Sequence, residues 1–482
     1  MNHMEAWHDP RVRTILTAIA ELAQESYVVG GTVRDLLVGR SNRKDLDVAV
    51  KGDGFQIARQ AADRIERVAT FVPLDSEHGT GRIVFRDEPP VTVDVTSFRA
   101  STLSEDLRAR DFTINAMAVA THDFLVGRRD YVIDPTGGKT DLRARKIRAC
   151  SSSSFQDDPV RILRAFRFMA SLEFEICQST LEAMPSAIGE LLSTAPERIR
   201  DELIATLAAE SSSPALRKMD TCGVLETLFP ELQPMIGCAQ NEYHHLDVWG
   251  HSLETVHRLE LLLAGEARKF GGLSPLIESY CRQEPVKDRP RRGLLKLAAI
   301  FHDSGKPVSR FVDSRGKTRF FGHERVSQQI FDKVGRRLKL ASREIAFIGE
   351  IIAGHMRPSI FTGKEVSLRA IHRMHTKYQS NVTGLLLLFL ADLEASRGPA
   401  RRLEAYALAW NQILRAMAVC LEAETAPLKP LLTGRDLISE FLMSPGPLLG
   451  RILTKLMELQ AAGEITTRGD AIEAARKLLA RE

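Results

Sequence analysis

None of the six cysteines in this 482-residue chain is paired as C-x-x-C. Cys150, Cys177, Cys222, Cys238, Cys281 and Cys420 are scattered, which argues against a disulfide framework and for a reduced, cytosolic chain. Long apolar runs are also missing. The longest, residues 385–391, is far below the roughly 20 residues that span a bilayer. No signal-peptide core opens the sequence, so a cytoplasmic protein without a membrane partner is expected. No residue type is gathered into biased tracts. Neither sign of charge dominates, the balance being +4. Basic residues nevertheless cluster at Arg40-Ser41-Asn42-Arg43-Lys44, at Arg128-Arg129 and at Arg143-Ala144-Arg145-Lys146. Such clusters suit a phosphate or nucleic-acid partner, and equally a solvated surface. The length exceeds one core and implies two to four domains.

What is present is organised around Val28-Val29-Gly30-Gly31-Thr32-Val33-Arg34-Asp35, followed by Lys44-Asp45-Leu46-Asp47-Val48-Ala49-Val50. Asp45 and Asp47 alternate with apolar residues at period two, which reads as a strand with both carboxylates on one face. Two such carboxylates repel unless a cation sits between them, and Mg²⁺ is commonly held by one or two carboxylates plus phosphate oxygens. Gly30 and Gly31 let the backbone approach a phosphate. A lone Asp-x-Asp is compatible with an ordinary hairpin; the preceding Gly-Gly-x-x-Arg-Asp tips the reading to a nucleotide-and-metal site.

Helical spacing over residues 11–23 and 55–65, with strand-like runs at 69–72, 82–85 and 91–95, predicts an α+β or α/β head ending near Cys150. Asp94 alternates within the last strand, as a third carboxylate or as a structural one. Arg110-Asp111, with Asn115 four residues on, would offer a cation, an acceptor and an amide along a helical face. In isolation this is also a salt-bridged helix start. Asp134-Pro135-Thr136-Gly137-Gly138 is a turn and a candidate hinge. Downstream, Asp157 or Asp158 can cap a helix with Pro159 in its first turn. Asp158, Arg161, Arg164 and Arg167 then recur at steps of three on an otherwise apolar helix. An Asp–Arg pair there could accept from the exocyclic amine of cytosine or adenine and donate to the adjacent ring nitrogen, rejecting uracil and guanine. An internal salt-bridge row is the equal alternative.

The remainder reads as helical. His244, His245, His251, His302-Asp303, Lys306, His323-Glu324, His355 and Asp392 are spread over it, with His302-Asp303 ending an apolar helix. Imidazoles and carboxylates converging in a bundle form a site for one or two metals able to activate water for phosphoester hydrolysis. The final segment, from Leu403 on, carries a Gly/Pro break at Ser444-Pro445-Gly446-Pro447 and no legible motif.

These motifs, in this order, resemble the class II (bacterial) tRNA nucleotidyltransferase and poly(A) polymerase family followed by an HD-type phosphohydrolase domain. The match rests on Gly30-Gly31-Thr32-Val33-Arg34-Asp35 with Asp45-x-Asp47, Arg110-Asp111-Phe112-Thr113-Ile114-Asn115, Asp134-Pro135-x-Gly137-Gly138, Asp157-Asp158-x-x-Arg161 and Glu197-Arg198-Ile199. The resemblance implies an α+β head (1–150), an all-α neck (151–240), an HD domain (241–400) and a helical tail (401–482). It implies Mg²⁺ on Asp45 and Asp47, a triphosphate at Gly30, Gly31 and Arg34, and a ribose at Arg110 and Asp111 beside Asn115. Asp158 with Arg161 would read the base, assisted by Arg164 and Arg167. In the HD part, His251, His302, Asp303 and Asp392 match metal ligands for Mn²⁺, Ni²⁺ or Mg²⁺, with His323 and His355 as further ligands. Three departures stand out: Ala109 replaces the usual Arg before Arg110, Asp157 replaces Glu, and the segment from Asp94 to Arg110 lacks the family's longer flexible loop.

The expected activity is extension of a tRNA 3′ end from CTP, ATP or both, with addition stopping at CC because of the short segment. Two rivals are a poly(A) polymerase, against which Ala116-Met117-Ala118-Val119 stands where an Ala-Leu-Tyr-Tyr-like ending is usual, and a phosphohydrolase of RNA ends or nucleotides whose head only binds RNA.

Overall fold

The computed structural model describes residues 9–39, 45–65, 69–75, 79–86, 90–128, 131–264, 270–363, 365–396, 403–425 and 428–480. The cluster at Arg40–Lys44 and the side chain of Asp45 lie outside the described residues. The chain divides into two compact units, Met1–Thr194 and Ala195–Glu482.

The first unit is built on a six-stranded mixed sheet. Its strands are β1 (Ser26–Val29), β2 (Asp45–Val50), β3 (Ala69–Asp75), β4 (Thr80–Phe85), β5 (Val91–Ser97) and β6 (Ala118–Ala120), in the order β3-β4-β5-β2-β1-β6. Among the described residues of this sheet, only β2 and β5 pair in parallel, with Asp47 opposite Asp94 and Val48 opposite Val95. Alternation decides the faces. Leu46, Val48, Val93 and Val95 are buried, whereas Asp47 is exposed on the other side. Helix α1 (Pro10–Leu22) and helix α2 (Gly54–Arg64) cover the apolar face. A Cβ on Gly81 would come within 2.8 Å of the Ala58 methyl, so α2 lies close against β4. On the opposite face, Val29, Ala49, Leu107, Ala116 and Ala118 form a small cluster. Asp47 stands on this face of a central strand, flanked by β1 and β5.

Helix α3 (Leu103–Arg108) starts at Thr102 with a full capping box to Glu105 and ends at Ala109. The helix expected to continue through Asn115 does not. Phe112 is extended, and a single 3-10 turn covers Thr113–Asn115. The turn at Asp134 is pinned, its carboxylate accepting from the amides of Gly138 (2.7 Å) and Lys139 (2.9 Å). A Cβ on Gly138 would lie 2.2 Å from the Thr113 carbonyl oxygen, so only glycine fits. Helix α4 (Val160–Leu172) follows; Asp158 Oδ1 accepts from the Val160 amide at 3.3 Å, whereas Asp157 ends the preceding short helix.

Among its described residues the second unit is helical apart from a two-stranded hairpin, Arg310–Val312 with Thr318–Phe320. The elements needed below are α5 (Ser213–Thr221), α6 (Val248–Ala264), α7 (Arg291–Phe301), α8 (His323–Arg337), α9 (Ser342–Gly354) and α10 (Asn381–Ala395). Near the C-terminus, Leu432, Leu437, Ile452, Leu456 and Ile465 form a separate cluster. The Gly/Pro break there starts a helix, with Pro447 in its first turn.

One buried ion pair escaped the sequence reading. Lys296, in the apolar run of α7, is fully buried with its Nζ 2.7 Å from Glu260 Oε1 of α6. Glu260 also accepts from the amides of Ser212 (2.6 Å) and Ser213 (3.1 Å), capping α5, while Lys296 donates to the Ala209 carbonyl (2.6 Å). Burial pushes the Glu260 pKa up, but Lys296 and the serine donors prevail and hold it low. Replacing either partner strands a buried charge, which costs about 3–5 kcal/mol. Lys296→Met is therefore expected to lower the urea midpoint of the full chain sharply, with much of the loss recovered in Lys296→Met/Glu260→Leu. A parent-like midpoint in the single variant would refute this.

Candidate functional site

Gly30 stands beside two charged side chains, those of Asp47 and Arg110. Its φ of +71° suits glycine. A Cβ there would lie 3.3 Å from Asp47 Oδ2 and 3.5 Å from Arg110 Nη1. Gly30, Asp47 and Arg110 thus share one corner of the sheet. Asp94, opposite Asp47, is held by a two-point ion pair from Arg82 (2.6 and 2.8 Å), so it serves at least as a structural carboxylate.

A second, continuous polar chain lies alongside. Arg34 pairs with Asp35 (2.8 Å) and donates to Asn115 Oδ1 (2.7 Å). Asn115 donates to Asp111 Oδ1 (3.2 Å), and Arg164 Nη1 stands 3.2 Å from Asp111 Oδ2. Burial pushes the Asp111 pKa up, yet Arg164 and the donated hydrogen bonds bring it below the usual carboxylate range. Arg34 and Arg167 both lie over the Phe168 ring, at 5.2 and 4.3 Å from its centre. Arg110 does not join this chain. Arg110 pairs four residues back with Asp106 (3.2 Å), so the expected Arg110–Asp111 partnership is divided between two neighbouring networks.

Asp158 and Arg161 are neighbours, Arg161 Nε standing 4.0 Å from Asp158 Oδ2. The guanidinium is otherwise engaged: Nη1 donates to Ser154 Oγ (3.0 Å) and Nη2 to the Ala109 carbonyl (3.2 Å). The expected open donor fork is therefore turned inward, and Arg164 is the more accessible of the two arginines, with a side chain 36% exposed against 10%.

Five histidines of the second unit converge, His244, His251, His302, His323 and His355. His251 Nε2 stands 2.9 Å from Asp392 Oδ1 and 3.7 Å from Asp303 Oδ2. His302 Nε2 is 3.2 Å from the same Asp303 oxygen. The other oxygen, Asp303 Oδ1, faces His323 Nε2 (3.3 Å) and His355 Nε2 (3.6 Å). His244 adds a ligand atom beside His251 and Asp392. Three rings are fixed in the same way: Nδ1 of His302, His323 and His355 donates to the carbonyl three residues back, Ala299, Phe320 and Ile352, at 2.7–2.8 Å. Nε2 of each ring is then the nitrogen left to face the cluster. Burial pushes His251 and His355 down, as metal ligation needs, and takes His244 to about 3. On His302, burial is outweighed by Asp303, which raises it. Lys306 Nζ lies 2.6 Å from Asp303 Oδ2 and donates to Gln240 Oε1. His302 Nε2 and Asp303 Oδ1 are buried without a well-aligned hydrogen-bond partner among the described residues. A donor set of inward nitrogens and carboxylate oxygens, partly orphaned, fits a divalent metal. His245 is in none of the metal-capable groups found among the described residues.

A carboxylate-bearing central strand, a glycine corner and the guanidinium groups around it define the head of a nucleotidyl-transferring enzyme, carried in one chain with an HD-type cluster. Comparison with known proteins agrees. Residues 26–148 match the family described as "Poly A polymerase head domain". Residues 173–236 match "Probable RNA and SrmB-binding site of polymerase A", and 248–394 match "HD domain". The A-adding tRNA nucleotidyltransferase of Deinococcus radiodurans is 32% identical over 92% of this chain and 93% of its own length. The CC-adding tRNA nucleotidyltransferase of Thermus thermophilus is 30% identical over 93% and 92%. A Thermotoga maritima CCA-adding enzyme solved with tRNA shares the fold, with a TM-score of 0.64 at 22% identity over 100% of this chain and 98% of that one. The chain belongs to the tRNA nucleotidyltransferase family. Among the described residues, no helix is long and apolar enough to cross a membrane.

Proposed function

We propose that this protein, acting in the cytoplasm, adds C residues from CTP to the 3′ end of tRNA and stops at CC, leaving the terminal A to another enzyme. The observation that carries this reading is the link between β5 and α3. Residues 98–102 are all that separate Ser97 from Leu103, and both ends are tied down. The Arg99 amide donates to Asp106 Oδ1 (3.0 Å), and Thr102 is locked in its capping box. No lever is available to reshape a base pocket after cytosine, so specificity rests on a fixed pocket.

In this reading Asp45 and Asp47 hold Mg²⁺, which supplies charge neutralisation for attack of the RNA 3′-hydroxyl on the nucleotide α-phosphate. Gly30 and Gly31 leave room for the triphosphate, and Arg34 faces it. Arg110, Asp111 and Asn115 position the ribose side. Asp158 accepts from the cytosine amine, with Arg164 as the accessible donor and Arg161 and Arg167 beside it. His251, His302, Asp303 and Asp392, with His323 and His355, hold Mn²⁺, Ni²⁺ or Mg²⁺, which supplies Lewis acidity for phosphoester hydrolysis of a 2′,3′-cyclic phosphate or 2′-nucleotide. The four-part division at 150, 240 and 400 is proposed with these roles.

The Deinococcus radiodurans relative favours a second reading, addition of A alone. Incubation of tRNA ending at the discriminator base with CTP and ATP together separates the two. A product ending in CC is expected. Efficient formation of a full CCA end would refute the CC reading. Extension by A of tRNA already ending in CC, without C addition, would establish the second. A long A tail on unrelated RNA would indicate a poly(A) polymerase.

A further inference from the structure

The second unit also contains a half-open cavity of about 790 Å³ between α7, α8, α9 and the start of α10. Its charged lining is unbalanced. Arg291, Arg325, Arg343, Arg357 and Lys377 face two carboxylates, Glu324 and Glu350. Glu350 is occupied by the Asn381 amide (2.5 Å), and Glu324 stands 3.6 Å from His323 Nδ1. No ion pair joins any of the five cations among the described residues.

Arg291 is the telling member. Its guanidinium lies over the rings of Tyr280 (4.4 Å) and Phe347 (5.6 Å), and Nη2 donates to Ser380 Oγ at 3.3 Å. Nε and Nη1 are buried with no acceptor. Buried charged donors left unmet are costly, so a guanidinium with two unmet donors calls for an anion close by. The Nε–H and Nη1–H bonds leave the planar group in different directions, so each is a separate point of contact for an oxyanion. Arg291 stands apart from the metal-type cluster, whereas the far wall of the cavity, Glu324 and Gly354, adjoins His323 and His355. Arg291 begins α7 and His302 follows its last residue, while Asn381 begins α10 and Asp392 lies near its end. At 1.5 Å per helical residue each pair is separated by about 16 Å.

We propose that this cavity binds the polyphosphate group of a small molecule, with Arg291 as its central contact. A single phosphate would leave most of the five cations unmatched, whereas a di- or triphosphate meets several. The volume lies within the roughly 300–1,000 Å³ range of small-ligand pockets. An RNA backbone crossing the surface would meet only the rim of such a cavity. Two sources carry the same chemistry, a nucleoside triphosphate and free pyrophosphate.

Calorimetric titration of the full chain in EDTA, with ATP and separately with pyrophosphate, tests this. The parent is expected to bind one more equivalent than Arg343→Gln/Lys377→Gln, whose affinity for that equivalent falls by about tenfold or more. Arg291→Gln should show the same loss. Should Arg291→Gln fail to fold, the double variant carries the test. Tighter binding of ATP than of pyrophosphate identifies a nucleotide; equal binding identifies pyrophosphate. Equal stoichiometry in parent and variants overturns the proposal. So does binding of inorganic phosphate as tight as that of ATP, or a loss confined to tRNA affinity.

Discussion

Asp47→Asn is expected to reduce CTP incorporation into tRNA by about 10³-fold or more. A bound metal contributes several kcal/mol to stabilising a phosphoryl transition state, and every 1.4 kcal/mol is about tenfold in rate. Asn keeps the shape of the side chain and removes its charge. Asp47 is exposed on the polar face of β2, so unfolding should shift by no more than about 0.5 kcal/mol. The measurement is the initial rate of labelled CTP incorporation, with the thermal unfolding curve alongside. A variant within tenfold of the parent would remove Asp47 from the metal site. A variant that unfolds early would mean that the carboxylate supports the corner it shares with Gly30 and Arg110.

His302→Gln should abolish phosphoester hydrolysis while leaving tRNA extension intact. Even outer partners of metal ligands are worth about 10–100-fold, and His302 points its Nε2 directly at the centre of the cluster, so a loss of about 10²-fold or more is expected. Gln conserves much of the volume, which matters because the ring is fully buried. The assay uses a 2′,3′-cyclic phosphate with added Mn²⁺, Ni²⁺ or Mg²⁺, and CTP incorporation is followed in the same preparation. Hydrolysis unchanged in the variant would exclude the cluster as its seat. Loss of both activities together would argue that one site serves both.

Much of the head was legible because its signals are local. The Asp-Leu-Asp-Val alternation has the period of a strand, and that strand is central to the sheet. The His302-Asp303 doublet was legible because an apolar helix running into charge is unusual, and α7 does end at Phe301. The misreadings came where the chain changes conformation within a motif. Arg110, Asp111 and Asn115 have helical spacing, but Ala109 ends the helix and Phe112 is extended, and the first side chain pairs with Asp106 rather than with the other two. The donors of Arg161 are taken up by Ser154 and by the carbonyl of Ala109, a backbone partner that no side-chain pattern reveals. Lys296–Glu260 spans two helices and 36 positions, and the one local hint was a lysine inside Leu294-Leu295-Lys296-Leu297. Arg291 was invisible for the same reason: its setting is made by Tyr280, Phe347 and Ser380, all remote in sequence.

The backbone anchoring of His302, His323 and His355 bears on which ions the cluster can accept. Each ring takes its direction from a carbonyl at the end of its own helix or just before it, so three of the inward nitrogens are placed by helix ends rather than by the arriving ion. Little further ordering is then required when an ion enters, and little adjustment is available to suit its size. Such a cage would suit a divalent ion that accepts imidazole nitrogen in a fixed arrangement, whereas Ca²⁺, which needs six to eight oxygen ligands in a flexible shell, would find few of them here.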